Sequence, residues 1–211
     1  MKTLALILGM HRSGTSLLSR SLKIFGAEHG DNLLGSRPGN TKGHWEDLDA
    51  LALNTEMLEF IGKDWKSIGP VTPHECERLE EHGYLEKINN LLYKKFYGTD
   101  FFVLKEPRIT HLLPIWKKAL NQIPLEKKYF FAFREPAHVA QSLRTRDGLP
   151  LEQGLLMWFS YTYFSLQHLA QELCCFINYD DMLAEPELCL ERIKAFLSRE
   201  LLVDEKNDFL N

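Results

Sequence analysis

Three observations predict an α/β fold of three layers, with a mainly parallel sheet between two layers of helices. Short apolar runs alternate with longer helical patterns along all 211 residues, and strands buried on both faces read as such runs. A glycine-spaced loop, Gly9-Met10-His11-Arg12-Ser13-Gly14-Thr15-Ser16, joins the first apolar run directly to a helical pattern. The clearest strands also end in polar and charged segments, at the edge where open parallel sheets bind ligands.

The elements follow in chain order. Strands are predicted near 3 to 8, 101 to 104, 129 to 133 and 174 to 178, with a short fifth near 26 to 30. Helices are predicted near 14 to 25, 47 to 61, 75 to 97, 110 to 120, 136 to 145, 151 to 172 and 186 to 198. The first carries Leu17, Leu18, Leu22 and Phe25 at helical spacing and stops at Gly26, while Pro186 opens the last. The opening run Leu4-Ala5-Leu6-Ile7-Leu8 leads into His11-Arg12 without a small-x-small cleavage site, so it reads as a buried strand and not a signal peptide.

Composition narrows the class. With 45% hydrophobic and 26% charged residues the chain is ordinary globular, and its length suits one domain over 1 to 211. A net charge of -4 argues against nucleic acid and anionic membranes as partners, so any anionic small ligand needs a local cluster of Arg and Lys. No run is long and apolar enough for a membrane span. Cys76, Cys174, Cys175 and Cys189 form no CxxC pair and read as reduced thiols, which places the protein in the cytoplasm.

The loop from Gly9 to Ser16 has the Gly-x4-Gly spacing of a phosphate cradle, but Thr15 stands where a triphosphate-binding Lys belongs. Backbone N–H groups at a helix start bind anions whatever residue follows, whereas that Lys and Mg2+ serve the β- and γ-phosphates. Strand ends Gly9-Met10-His11-Arg12, Lys105-Glu106-Pro107-Arg108, Arg134-Glu135-Pro136 and Tyr179-Asp180-Asp181 converge on one crevice. Three of the four bring a cation, and a nucleotide-like anion is the expected occupant.

In these residues the chain resembles the sulfotransferases that use 3'-phosphoadenosine 5'-phosphosulfate (PAPS), in particular small bacterial members with a P-loop NTPase-like fold. Arg12-Ser13-Gly14-Thr15-Ser16 is similar to that family's 5'-phosphosulfate loop. Phe133-Arg134-Glu135-Pro136 followed by Ser142 resembles its 3'-phosphate motif. Lys42-Gly43-His44-Trp45-Glu46, Leu53-Asn54, Lys105 to Arg108, Gly148-Leu149-Pro150 and Tyr179 to Met182 keep the family's order. The late Gly-rich basic loop of larger members has no counterpart before Asn211.

The resemblance implies transfer of a sulfuryl group from PAPS to an acceptor hydroxyl or amine, without a metal. It assigns Arg12, Ser13, Gly14, Thr15 and Ser16 to the 5'-phosphosulfate, Arg134 and Ser142 to the 3'-phosphate and Tyr179 to adenine. Arg12 also faces the leaving oxygen, and Lys105 the sulfuryl oxygens or the acceptor. Glu46 is the expected base by its place in the resembling members; His44 is its rival, and Glu46 or Asp47 as a helix cap is the structural alternative. Lys105 and Arg108 have an ion pair with Glu106 or another carboxylate as their structural alternative, and Arg144 and Arg146 read as solvated helix-end charges. The acceptor, a small molecule, lipid or carbohydrate, falls to the 31 to 46 loop, Trp65 and the aromatic face of the 151 to 172 helix. A P-loop kinase of a small metabolite and a catalytically silent nucleotide binder remain as other readings.

Overall fold

A computed structural model describes residues 2–35 and 43–210. Its centre is β1 (Thr3–Leu8), six residues all buried because both sheet faces are covered by helices. Next come α1 (Thr15–Leu22), a 3-10 turn at Lys23–Phe25, and a two-residue hairpin of β2 (Leu33–Leu34) and β3 (Glu46–Asp47). The chain continues through α2 (Leu48–Phe60), α3 (Pro73–Glu81), α4 (Tyr84–Lys95), β4 (Phe101–Lys105), α5 (Arg108–His111) and α6 (Leu113–Leu120). β5 (Glu126–Phe133), α7 (Pro136–Asp147), α8 (Leu151–Leu169), β6 (Cys174–Asn178), α9 (Tyr179–Ala184), α10 (Pro186–Leu197) and α11 (Val203–Leu210) complete it.

The main sheet is parallel throughout, in the order β4-β1-β5-β6. After β1 the chain enters β4 on one side and then crosses to β5 on the other, so the strand order switches at β1. A crevice opens at the carboxyl end of such a switch. The alternation of β1 splits the core. Leu4, Leu6 and Leu8 pack with Met57, Ile88 and Trp116 on one face, and Ala5 and Ile7 with Leu18, Phe130 and Ile193 on the other. A third cluster, Met10, Val139, Leu143, Leu149, Met157 and Tyr161, joins α7 and α8 to the end of β1.

Several predicted bounds need correction. The helix expected over 75 to 97 is two, because Gly83 adopts φ 77 and opens α4 as its own cap. The 110 to 120 helix breaks at Leu112, after which Pro114 sits in the first turn of α6, where its missing N–H costs no bond. β5 starts at Glu126, three residues early, and α9 and α11 lie outside the predicted helices. The strand near 26 to 30 is a single parallel bridge of Glu28 to Phe102, with Glu28 N–H donating to Phe101 O and Val103 N–H to Glu28 O. Among the described residues, no helix is long and apolar enough to cross a membrane.

Candidate active site

The loop after β1 is shaped by two left-handed residues. Arg12 has φ 69, and Gly14 has φ 91 as the cap of α1. A Cβ at Gly14 would lie 2.5 Å from a ring carbon of Tyr179, so glycine is required by conformation and by space. Thr15, Ser16 and Leu17 begin α1, where the backbone N–H groups have no acceptor within the helix, and all three line a cavity. Ser13 differs from its expected place: its N–H donates to Met10 O and its buried hydroxyl has no partner, so it stands behind the cavity wall.

That cavity, of about 710 Å³, lies across the ends of all four main strands. His11 and Arg12 follow β1, Lys105 and Pro107 come from β4, Arg134 follows β5, and Tyr179 follows β6. Arg12, Arg20, Lys105, Arg134 and Arg146 all reach it, against one carboxylate, Glu46. A protein of net charge -4 has therefore gathered a local excess of positive charge.

The hairpin sets the role of Glu46. Asp47 caps α2, its Oδ1 accepting from Asp49 N–H at 3.0 Å and Ala50 N–H at 2.9 Å, so capping does not fall to Glu46. Glu46 instead accepts from Lys105 Nζ at 2.8 Å. Lys105 also donates to His44 O at 3.0 Å and Ser16 Oγ at 3.4 Å, while Ser16 Oγ donates to His44 O at 2.9 Å. The ammonium thereby ties phosphate loop, sheet and hairpin together. Burial, the largest single influence, raises the Glu46 carboxyl, but Lys105 together with His11 and His44 outweighs it and holds the group at about 2. Burial lowers the Lys105 ammonium against the pull of Glu46, and burial also lowers the half-exposed His44, which is neutral at pH 7.

The other strand-end ions divide between cavity and core. Arg108 does not reach the cavity wall; its Nη1 bonds Glu106 Oε1 at 2.5 Å and its N–H bonds Glu106 Oε2 at 3.1 Å. Glu106 also accepts from Asn54 Nδ2 at 2.6 Å. Arg134 lies over the Tyr179 ring, 4.4 Å from its centroid, with a buried Nε that no acceptor meets. Ser142, expected beside Arg134, accepts from Arg12 Nε at 2.8 Å. Burial first, then Arg146 and Arg134, lowers the pKa of Arg12, a crowding of like charge that an anion relieves.

Three contributors escaped the sequence. Arg146 is an exposed helix-end charge as expected, but it also lines the cavity, four residues after Ser142 on the same face of α7, and that spacing was the available signal. His11 is 7% exposed and packs on Trp65 at 4.9 Å between centroids. Arg20 lines the cavity beside Phe209, whose carbonyl it bonds at 2.7 Å, so α11 forms part of the wall. Of the regions expected to hold an acceptor, α8 contributes no lining residue, Trp65 stands behind His11, and Trp45 lines the cavity. Lys42 falls outside the described residues. No group of three His, Cys, Asp or Glu suited to a metal occurs among the described residues.

No family model matches the sequence, and no curated protein matches it either. Solved structures do match. A sulfotransferase domain from the curacin biosynthetic pathway superposes with a TM-score of 0.57 over 97% of this chain and 77% of that one, at 19% identity. The fold is that of the sulfotransferases. The sulfotransferase domain of the Synechococcus PCC 7002 olefin synthase gives 0.57 over 96% and 76% of the two chains at 18% identity. Sulfotransferase STF9 from Mycobacterium avium gives 0.57 over 100% and 67% at 14% identity. The sulfotransferase fold thus spans the chain while its sequence has diverged widely.

Proposed function

We propose that the protein is a sulfotransferase of one domain, moving a sulfuryl group from PAPS to an acceptor hydroxyl or amine. One observation carries this: cations from the ends of β1, β4 and β5 meet the α1 amides in a single cavity beside one ion-paired carboxylate. The donor has an anion at each end, and the residues fit it. Arg12 with the N–H groups of Thr15 to Leu17 suits the phosphosulfate, and Arg134, which lines the same cavity from the end of β5, suits the 3'-phosphate. Thr15 in place of a P-loop Lys disfavours a kinase.

In the reaction the acceptor oxygen forms a bond to sulfur, the bond from sulfur to the bridging oxygen breaks, and the acceptor's proton passes to a base. Arg12 neutralises the charge left on the bridging oxygen. Lys105 spends all three donors in the network, the longest on Ser16 at 3.4 Å, so serving a sulfuryl oxygen means giving up that bond first. Loosening Lys105 from Glu46 raises the carboxyl from about 2 towards the range where it accepts a proton. His44, neutral and at the same wall, is the alternative base, and a pH profile separates the two. With His44 as base the transfer rate falls on the acid side, below the ordinary 6.5, as the imidazole is protonated; with Glu46 as base it stays level through that imidazole range.

Thermal shift tests the donor. Stabilisation by 3'-phosphoadenosine 5'-phosphate (PAP) without Mg2+, lost in Arg134→Ala, is the expected result. Stabilisation by ATP with Mg2+ and none by PAP sinks the proposal in favour of a kinase. Transfer of label from PAPS to a library of alcohols and amines then separates an enzyme from a silent binder.

A further inference from the structure

Arg146 is the cavity cation that the donor leaves over. Arg12 and Lys105 serve the phosphosulfate in the proposed reading, Arg134 the 3'-phosphate, and Arg20 is held by the Phe209 carbonyl at 2.7 Å. Arg146 donates through Nε to Asp147 Oδ2 at 2.7 Å, and its two terminal amino groups meet no acceptor among the described residues. Its side chain is 32% exposed, which leaves it reachable from the cavity it lines.

Its position is fixed from behind by Trp65. The guanidinium carbon lies 5.6 Å from the Trp65 ring centroid, and the His11 ring packs on the same indole at 4.9 Å. Trp65 is in turn anchored through its carbonyl, which accepts from Tyr161 Oη at 2.8 Å. A third group, Lys66 Nζ, stands 5.5 Å from the same ring and meets no carboxylate among the described residues. Arg146 is thus on the side of the cavity that holds His11, and its charge also acts on His44. Arg134, by contrast, is bound to Tyr179.

We infer that the acceptor carries an anionic group of its own, a carboxylate or a phosphate monoester, bound by the terminal amino groups of Arg146. The inference rests on the sulfotransferase reading. The planar guanidinium offers a pair of parallel donors to such an oxyanion, a geometry that a lysine lacks. One cation beyond those the donor engages also answers the added charge of such an acceptor, which otherwise meets a sulfuryl donor of the same sign. Held there, the acceptor body spans from Arg146 to the wall formed by His44 and Glu46, where its hydroxyl loses the proton.

The test uses the whole chain and Arg146→Gln. PAP affinity is measured by calorimetry; the PAP-bound proteins are then titrated with para-hydroxyphenylpropanoate against its methyl ester, and para-hydroxybenzyl phosphate against para-hydroxybenzyl alcohol. Transfer of label from PAPS to the same pairs is a second readout. The wild type is expected to favour an anionic member by about tenfold or more, and Arg146→Gln to lose that preference while its PAP affinity changes less than about threefold. The pair showing the larger preference identifies the anion as carboxylate or phosphate. Equal binding of charged and neutral members, or no binding of either, overturns the inference. A drop in PAP affinity of about tenfold in Arg146→Gln does so too, by placing the residue on the donor. Failure of the wild type to bind PAP at all is the separate result that sinks the sulfotransferase reading.

Discussion

Lys105 and Arg108, three residues apart, each meet a buried glutamate, yet the two pairs sit in different surroundings. Lys105 reaches Glu46 across 59 residues of sequence, and both groups border the cavity. Arg108 meets Glu106 two residues away, and Asn54 completes a cluster around the fully buried Glu106, in which Asn54 also accepts from Trp116 Nε1 at 2.8 Å. The carboxyls respond in opposite directions. Lys105, with His11 and His44, overcomes burial and holds Glu46 at about 2, while burial dominates at the fully enclosed Glu106 and raises it, with the charge of Glu46 adding to the rise. One pair borders the cavity, where a ligand could compete for its cation; the other lies away from it, where removing the cation leaves a buried carboxyl unpaired.

The largest expected effect separates the pairs directly. Lys105→Met is expected to cut label transfer from PAPS by about 10³-fold. Arg108→Met is expected to leave transfer nearly unchanged and to lower unfolding stability by about 3 kcal/mol, since Glu106 is left buried without its cation. Transfer rate and urea midpoint, measured on both variants, check this; the reverse assignment removes the distinction.

A smaller effect lies in acid. Glu46 has a folded value below its ordinary 4.5, so its contribution to stability is complete above pH 4.5 and is lost as pH falls towards 2. Glu106 is raised, so its contribution runs the other way, falling as pH rises above 4.5. Urea unfolding at pH 5 and pH 3 is expected to show a shallower acid loss in Glu46→Gln and a steeper one in Glu106→Gln. Equal slopes in the two variants remove the claim that the environments are opposed.

The smallest effect concerns Arg12, whose Nε meets a hydroxyl and not a carboxylate. Ser142→Ala is expected to weaken PAP binding by about threefold, the loss of one hydrogen bond, and Ser142→Asp by about tenfold or more as it neutralises the cation. Calorimetry reads both. An unchanged affinity in Ser142→Asp shows that Arg12 keeps no charge in reserve.

The contrast also explains what the sequence disclosed. The four strands were legible because strands buried on both faces must be apolar, as Leu4 to Leu8 and Phe101 to Leu104 are. Gly83 was not read as a break because the pattern of apolar residues continues across it from Leu79 to Leu85. Arg12, Lys105 and Arg134, whose positions follow from the strand ends, line the cavity. Side chains whose partners depend on tertiary packing were not legible: Ser142 turns to Arg12, Arg146 turns inward over Trp65, and Lys105 finds Glu46 where Glu106 was the nearer candidate. The carboxylate away from the cavity was adjacent in sequence, and the one that lines it was far away.

Tyr179 touches Gly14 on one side and carries the Arg134 guanidinium on its ring. One aromatic spacer therefore gauges the gap between the phosphate loop and the cation at the end of β5. The two cannot drift independently: a side chain at position 14 pushes the ring, and the ring moves the arginine. The Tyr179 ring in this respect sets the spacing between the start of α1 and the Arg134 guanidinium across the cavity.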